Sequence, residues 1–93
     1  MNTYELTTVL PAKTTPSRKK ALQKNLEKIV EGLKGKVTRV EDWGEIELAY
    51  KILKNTSGIF LHYNLELENN AVKQLDSKLK MEEEIIRYLL VKK

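Results

Sequence analysis

The sequence of 93 residues contains no cysteine and only one histidine, His62. The absence of cysteine excludes disulfide frameworks, iron–sulfur clusters, thiolate zinc sites and cysteine nucleophiles. A histidine-rich metal site is excluded as well, and a serine triad would have to be built around one base. Because no catalytic constellation can be nominated around His62, we expect a protein that is not an enzyme and that uses no metal or cofactor.

Long hydrophobic stretches are also missing. The longest aliphatic run covers three residues, Leu89 to Val91. A membrane-spanning helix needs about 20 apolar residues, and the core of a signal peptide needs about 7 to 15. We therefore expect no membrane partner and a cytoplasmic location. The length predicts one domain over residues 1–93, since domains typically have about 100 to 150 residues.

The net charge of +4 is unevenly distributed along the chain. The segments 1–35, 36–68 and 69–93 carry +4, −2 and +2, so the middle third is acidic. Mild basicity is compatible with a nucleic-acid partner, because lysine and arginine bound to phosphates release counterions. The alternative is a solvated surface that keeps a small protein soluble.

Apolar periodicity predicts six elements. Alternation at a period of two predicts strands at about 3–10, 37–53, 59–67 and 85–91, and apolar stripes predict helices at about 16–34 and from 69 or 70 onward. Thr15 and Pro16 predict a helix start, and Gly35 is expected in the left-handed position that closes this helix. Gly44 indicates a bulge in the second strand.

Two further local signals concern asparagine. The stretch 55–58 is a turn by composition, which predicts that the second and third predicted strands form a hairpin. Asn69 or Asn70 is expected to cap the second helix.

This order of elements predicts an α+β fold of the ferredoxin-like type, β-α-β-β-α-β, with a four-stranded antiparallel sheet and two helices on one face. The other face would be open to solvent. In the second strand we group Ile46 with the helix side and Glu45 and Glu47 with the open side. By alternation the open face shows an unusually apolar set, which suggests a binding role: Glu5, Thr7, Val9, Ala49, Phe60, His62, Arg87, Leu89 and Val91.

Several motifs together resemble the family of bacterial small-subunit ribosomal protein six. They are Tyr4-Glu5, Trp43-Gly44-x-x-x-Leu48-Ala49-Tyr50-x-Ile52-x-Lys54, Gly58-x-Phe60, and the end from Arg87 to Val91-Lys92. The resemblance implies a structural constituent of the small ribosomal subunit. It also implies binding to the central domain of small-subunit ribosomal RNA as a heterodimer with small-subunit ribosomal protein eighteen.

The sequence departs from this family in two places. Family members commonly have basic residues directly after the Trp-Gly pair, whereas this chain has Glu45, Ile46 and Glu47. Many members extend past the last strand into a tail that contacts the partner, and this chain stops at Lys93. The contacts that the family makes through those residues therefore cannot be transferred.

The sequence-based site assignments are as follows. The candidate RNA-binding residues are Arg87 and the terminal lysines Lys92 and Lys93, which we expect to be flexible point charges. The candidate partner-binding residues are Glu5, Ala49, Phe60, His62, Leu89 and Val91. Trp43 either anchors the bulge or an interface, or packs over the end of the sheet.

Three alternatives stay open. Phe60 and His62 could stack on single-stranded bases, although the full aromatic pattern of such modules is absent. The lysines at 20, 24 and 28 form a solvated helix face or a phosphate site. Two copies could also associate through their open faces or through the edges of their second strands, which would make a binding or regulatory module without a ribosomal role.

Overall fold

The computed structural model describes residues 2–52 and 55–93, with side chains at 2–47 and 57–93. Four strands and two helices follow in the predicted order. They are β1 (Asn2–Pro11), α1 (Pro16–Gly32), β2 (Lys36–Ile52), β3 (Asn55–Leu67), α2 (Val72–Lys80) and β4 (Arg87–Lys92), with a 3-10 turn at Asn69–Ala71 before α2.

The strands form one antiparallel sheet in the order β2-β3-β1-β4. This confirms the predicted four-stranded ferredoxin-like architecture. Strands β2 and β4 are the two edges, so each has one row of backbone groups without a strand neighbour in the sheet.

The hydrophobic core lies between one face of the sheet and the two helices. Leu6 of β1 and Leu61 and Leu65 of β3 are completely buried, and they meet Val30 of α1 and Leu75 of α2 in one cluster. Burial of each such side chain stabilises the fold by about 1.5–3 kcal/mol relative to exposure. The apolar stripes of both helices are thus buried against this face, and the opposite face of the sheet stays uncovered.

The predicted start of α1 is confirmed. The Oγ1 atom of Thr15 accepts a hydrogen bond from the backbone N–H of Arg18 at 3.3 Å, and Pro16 occupies the first helical position. A proline is well tolerated there because its missing N–H would have had no partner within the helix.

The prediction that Gly35 takes the left-handed position after α1 is wrong. Helix α1 ends at Gly32, and the residue with left-handed backbone is Lys34, at φ 65°, rather than Gly35. The N–H of Lys34 donates to the carbonyl of Glu31, and the N–H of Gly35 donates to that of Val30, both at 2.9 Å. These are the two bonds of a Schellman motif, and they place the left-handed residue one position earlier.

Gly35 has a different structural role. A Cβ atom at this position would lie 2.4 Å from the backbone oxygen of Glu66 and 2.4 Å from Cδ2 of Leu67. The glycine is therefore needed because the chain passes directly over the end of β3, not because of its backbone angles.

Two predictions about asparagine residues are also wrong. Asn69 does not cap α2, because its Oδ1 accepts hydrogen bonds from the Tyr4 hydroxyl at 2.6 Å and from Nδ2 of Asn2 at 2.7 Å. The stretch Asn55 to Gly58 belongs to β3, where Asn55 pairs with Ile52. The hairpin between β2 and β3 is confirmed, but its strands extend further than composition suggested.

Candidate interaction face

The sheet face away from the helices, here called the open face, is built by alternation along three paired strands. From one end to the other, Val9 lies between Phe60 and Arg87, Thr7 lies between His62 and Leu89, and Glu5 lies between Asn64 and Val91. The predicted placement of these β1, β3 and β4 residues is confirmed. The side chain of Ala49, the remaining candidate, lies outside the described residues.

The predicted facing of β2 is wrong at its middle. Ile46 pairs with Gly58, two residues from Phe60, and therefore belongs to the open face, whereas Glu45 pairs with Ile59 on the helix side. Strand β1 ends opposite Gly58. Beyond Gly58, β2 and β3 pair with each other only, because β1 no longer runs beside β3. An apolar residue in this part of β2 therefore does not have to face the core.

A bulge in β2 controls the orientation of Trp43. The register shifts between Asp42 and Gly44, as predicted from the glycine, and Gly44 has φ 76°. The carboxylate of Asp42 accepts hydrogen bonds from Nζ of Lys19 in α1 at 2.5 Å and from the backbone N–H of Gly44 at 2.8 Å. These two bonds lower the pKa of Asp42 and fix the bulge to the helix layer.

Trp43 stands on the open face and is held there by two contacts. Its ring stacks on the imidazole of His62 with centroids 4.8 Å apart and planes 9° from parallel. Its Nε1–H donates to Oε2 of Glu41 at 3.0 Å, which is the main reason why the pKa of Glu41 is lowered. Trp43 is still 47 % exposed. Nearly half of the Trp43 surface therefore stays accessible, as an interface anchor requires, and its role at an interface stays a prediction.

His62 is held on both sides of its ring. Its Nδ1 lies 2.9 Å from Oγ1 of Thr7, and its Nε2 lies 3.8 Å from a carboxylate oxygen of Glu5. Within residues 2–52 and 55–93, no group of three metal-ligating side chains is close enough to hold an ion. Thr7 and Glu5 thus orient the His62 ring, on which Trp43 stacks.

The other edge of the open face is aliphatic. Leu89 is 62 % and Val91 47 % exposed on β4. Beside them Glu5 forms an ion pair with Nζ of Lys93 at 3.2 Å. The open face therefore keeps several large apolar side chains exposed, which is a feature of interaction surfaces.

The candidate RNA-binding residues do not form one cluster. Arg87 and Lys92 are at opposite ends of β4, about 16 Å apart at the usual rise per residue. Lys92 pairs with Tyr4 and so lies on the helix side, whereas Arg87 pairs with Val9 on the open face.

The terminal lysines do not form a free tail, because the backbone of both pairs with β1. Lys92 belongs to the β4 pairing, and the backbone N–H of Lys93 donates to the carbonyl of Thr3 at 2.9 Å. Each cation therefore has a defined position relative to the sheet.

These features define a class of protein, an α+β domain with one uncovered sheet face on which large apolar side chains stay exposed. None of the helices in the described part of the chain is long and apolar enough to cross a membrane.

Comparison with known proteins gives the family. The model of the family described as Ribosomal protein S6 matches residues 3–92. The chain is 36 % identical to small ribosomal subunit protein bS6 of Pelagibacter ubique, covering 99 % of this chain and 76 % of that protein. It is 34 % identical to bS6 of Alkaliphilus metalliredigens, covering 99 % and 97 %. The chain belongs to the ribosomal protein S6 family, which consists of structural proteins of the small ribosomal subunit.

A solved structure supports the fold. The crystal structure of 30S ribosomal protein S6 from Thermotoga maritima matches with a TM-score of 0.92 at 24 % identity, covering 99 % of this chain and 87 % of that chain. At this level of identity the similarity establishes the architecture alone. Nothing about the side chains of the open face is taken from that structure.

Proposed function

We propose that this chain is a structural constituent of the small ribosomal subunit that binds the central domain of small-subunit ribosomal RNA together with small-subunit ribosomal protein eighteen. The observation that carries the proposal is the open face, where apolar side chains remain exposed after both helices have covered the other side of the sheet. Family membership supplies the ribosomal context.

The protein partner is assigned to the open face. Leu89 and Val91 supply aliphatic area at the β4 edge, while Phe60, His62 and Glu5 form the middle of the face. Hydrophobic side chains at the centre of an interface, with ion pairs around them, contribute most of the binding energy of protein complexes. The site candidate Ala49 stays a prediction from sequence.

The RNA is assigned to Arg87, Lys92 and Lys93. Because Arg87 and Lys92 are at opposite ends of β4, they would contact separate phosphates rather than one. Lys93 would exchange its ion pair with Glu5 for a phosphate. Such contacts position a protein on RNA without reading its sequence.

A binding assay with purified small-subunit ribosomal protein eighteen tests the protein interface. Leu89→Glu and Phe60→Glu are expected to weaken binding by at least about tenfold, since each places a charge in an apolar contact. The matched control is Met81→Glu, because Met81 is 79 % exposed and belongs to the segment between α2 and β4. Unchanged affinity in Leu89→Glu and Phe60→Glu, with folding confirmed by circular dichroism, would refute the assignment.

A salt titration tests the RNA contacts. The double variant Lys92→Ala/Lys93→Ala is expected to lower the slope of log affinity against log salt by about 0.7–0.9 for each phosphate that is no longer bound. The control Lys13→Ala/Lys78→Ala removes the same charge at two exposed positions outside β4. An equal slope in the terminal variant and the wild type would reject the phosphate role.

The alternative of a self-associating module has less support from the edges of the sheet. Two β2 edges would bring Glu41, Glu45 and Glu47 of one copy against the same residues of the other, which is repulsive. Sedimentation equilibrium distinguishes the two functions, because a dimer that forms without RNA or protein eighteen would favour the alternative.

A further inference from the structure

The middle of β2 combines exposed apolar groups with negative charge. Residues 41–47, called here the Trp43 edge, contain four carboxylates and no lysine or arginine, although the whole chain carries +4. Within this segment Trp43 is 47 % and Ile46 38 % exposed, and both belong to the open face. The segment lies on an edge strand, which leaves backbone donors and acceptors available to an added chain.

The aromatic ring of the Trp43 edge is already fixed in place. Trp43 is stacked on His62 and hydrogen-bonded to Glu41, while the bulge that orients it is bonded to Lys19 through Asp42. A side chain that is ordered before binding loses little conformational entropy when a partner arrives. An exposed and rigid tryptophan therefore has the properties of a binding anchor.

The carboxylates differ in how far they are neutralised. Asp42 is paired with Lys19, and Glu41 accepts from Trp43 and pairs with Arg39 at 2.8 Å. Glu45 and Glu47 are exposed, and neither makes an ion pair with another residue of the described part of the chain. Two carboxylates beside the anchor are thus available to a partner's cations.

We propose that the Trp43 edge binds an extended protein segment in which arginine or lysine alternates with aliphatic residues. In a strand added along this edge, the aliphatic groups would cover Ile46 and the rim of Trp43 on the open face. The cations that alternate with them would face the other side, where Glu45 and Glu47 would pair with them. This inference rests on the proposed function, because it assigns the segment to the protein partner rather than to the RNA.

The charges of the same segment argue against nucleic acid. A base stacked on Trp43 would carry its phosphates past Glu41, which lies on the same face, and the repulsion between like charges disfavours binding.

The first experiment uses fluorescence, because Trp43 is the single tryptophan of the chain. The full-length protein is titrated at low salt with a short capped peptide alternating arginine and valine, with its glutamate analogue, and with oligouridine. We expect a saturable change in Trp43 emission with the arginine peptide alone. Glu45→Gln/Glu47→Gln is expected to weaken this binding about fivefold to tenfold.

The matched control is Glu31→Gln/Glu83→Gln. It removes two carboxylates outside the Trp43 edge and changes the net charge equally. The inference is overturned if the control weakens peptide binding as much as the edge variant, if the arginine peptide leaves the emission unchanged, or if oligouridine alone changes it. The last result would make the edge a nucleic-acid surface.

The second experiment separates this inference from the proposed function. The affinity for small-subunit ribosomal protein eighteen is measured for the wild type, Glu45→Gln/Glu47→Gln and Trp43→Ala. Weaker binding of both variants supports the inference. If the wild type binds and both variants bind equally well, the proposed function stands and this inference is wrong. If the wild type does not bind, the proposed heterodimer fails, and the peptide titration still decides whether the edge binds a basic segment.

Discussion

Lys34 offers a direct test of the local structure at the end of α1. With φ 65°, it is the one residue other than glycine that has positive φ within residues 2–52 and 55–93. The left-handed conformation brings Cβ too close to the following carbonyl oxygen, which costs about 1–2 kcal/mol for an L-amino acid. Glycine has no Cβ and avoids this cost, so Lys34→Gly should stabilise the protein.

The magnitude follows from two opposing terms. Glycine in place of lysine increases the freedom of the unfolded chain, which costs about 0.4–1 kcal/mol. Relief of the left-handed strain outweighs this cost and leaves a net stabilisation of about 0.5–1 kcal/mol. The two 2.9 Å hydrogen bonds at this helix end are made by backbone atoms and are retained. The Lys34 side chain lies at the surface, so its removal contributes little.

The assays are urea unfolding and thermal unfolding, both followed by circular dichroism. Because about 1 kcal/mol shifts the melting temperature of a domain of this size by about 4–8 °C, a rise of about 2–8 °C is expected on heating. In urea, the slope of the unfolding free energy against urea concentration should not change. Lys34→Ala is the control, since it removes the same charged side chain but keeps Cβ and the strain. If Lys34→Gly is no more stable than Lys34→Ala, the reasoning from φ is refuted.

Three further predictions concern packing and titration. Gly35→Ala should destabilise the protein by about 1–3 kcal/mol in urea unfolding, because its Cβ would lie 2.4 Å from Cδ2 of Leu67, and wild-type stability would contradict this steric argument. The hydroxyl of Tyr88 donates to Asp76 and lowers the pKa of that carboxyl, so its contribution to stability is present above about pH 4 and is lost as the pH falls through the folded pKa. Tyr88→Phe should therefore flatten the stability profile measured by urea unfolding below pH 4, and an unchanged profile would contradict the assignment. Burial raises the pKa of Tyr63 and of Tyr88 to about 12, so ultraviolet titration should show both phenols ionising well above pH 10, with stability falling between pH 10 and 12. Ionisation of all tyrosines near pH 10 in the folded protein would refute this last point.

The helices, strands and their order could be predicted from the sequence because they depend on local periodicity. Leu61, Tyr63, Leu65 and Leu67 alternate with polar residues, and all four are buried on the helix side. Such alternation requires no knowledge of distant residues. The start of α1 at Thr15 was equally accessible, since a cap involves neighbours within one turn.

The open face was predictable where three strands pair side by side. Glu5, His62, Leu89 and their neighbours lie on the open face, as the alternation of side chains along each strand predicts. The prediction holds because the register of β1 with β3 and β4 is regular. The face could not be extended to β2 in the same way. Gly44 signalled a bulge, but the facing of Ile46 depends on where β1 ends, and that is a property of the assembled sheet.

The sequence by itself determined the fold class, the element order and most residues of the open face, because hydrophobic periodicity and helix-start signals act over a few residues. Only the tertiary structure decided the roles of residues whose partners are far away in the chain. Gly35 lies over Leu67, Asn69 binds Tyr4, and Trp43 rests on His62. No local pattern encodes these contacts, since each depends on the packing of strands that the chain brings together after long separations.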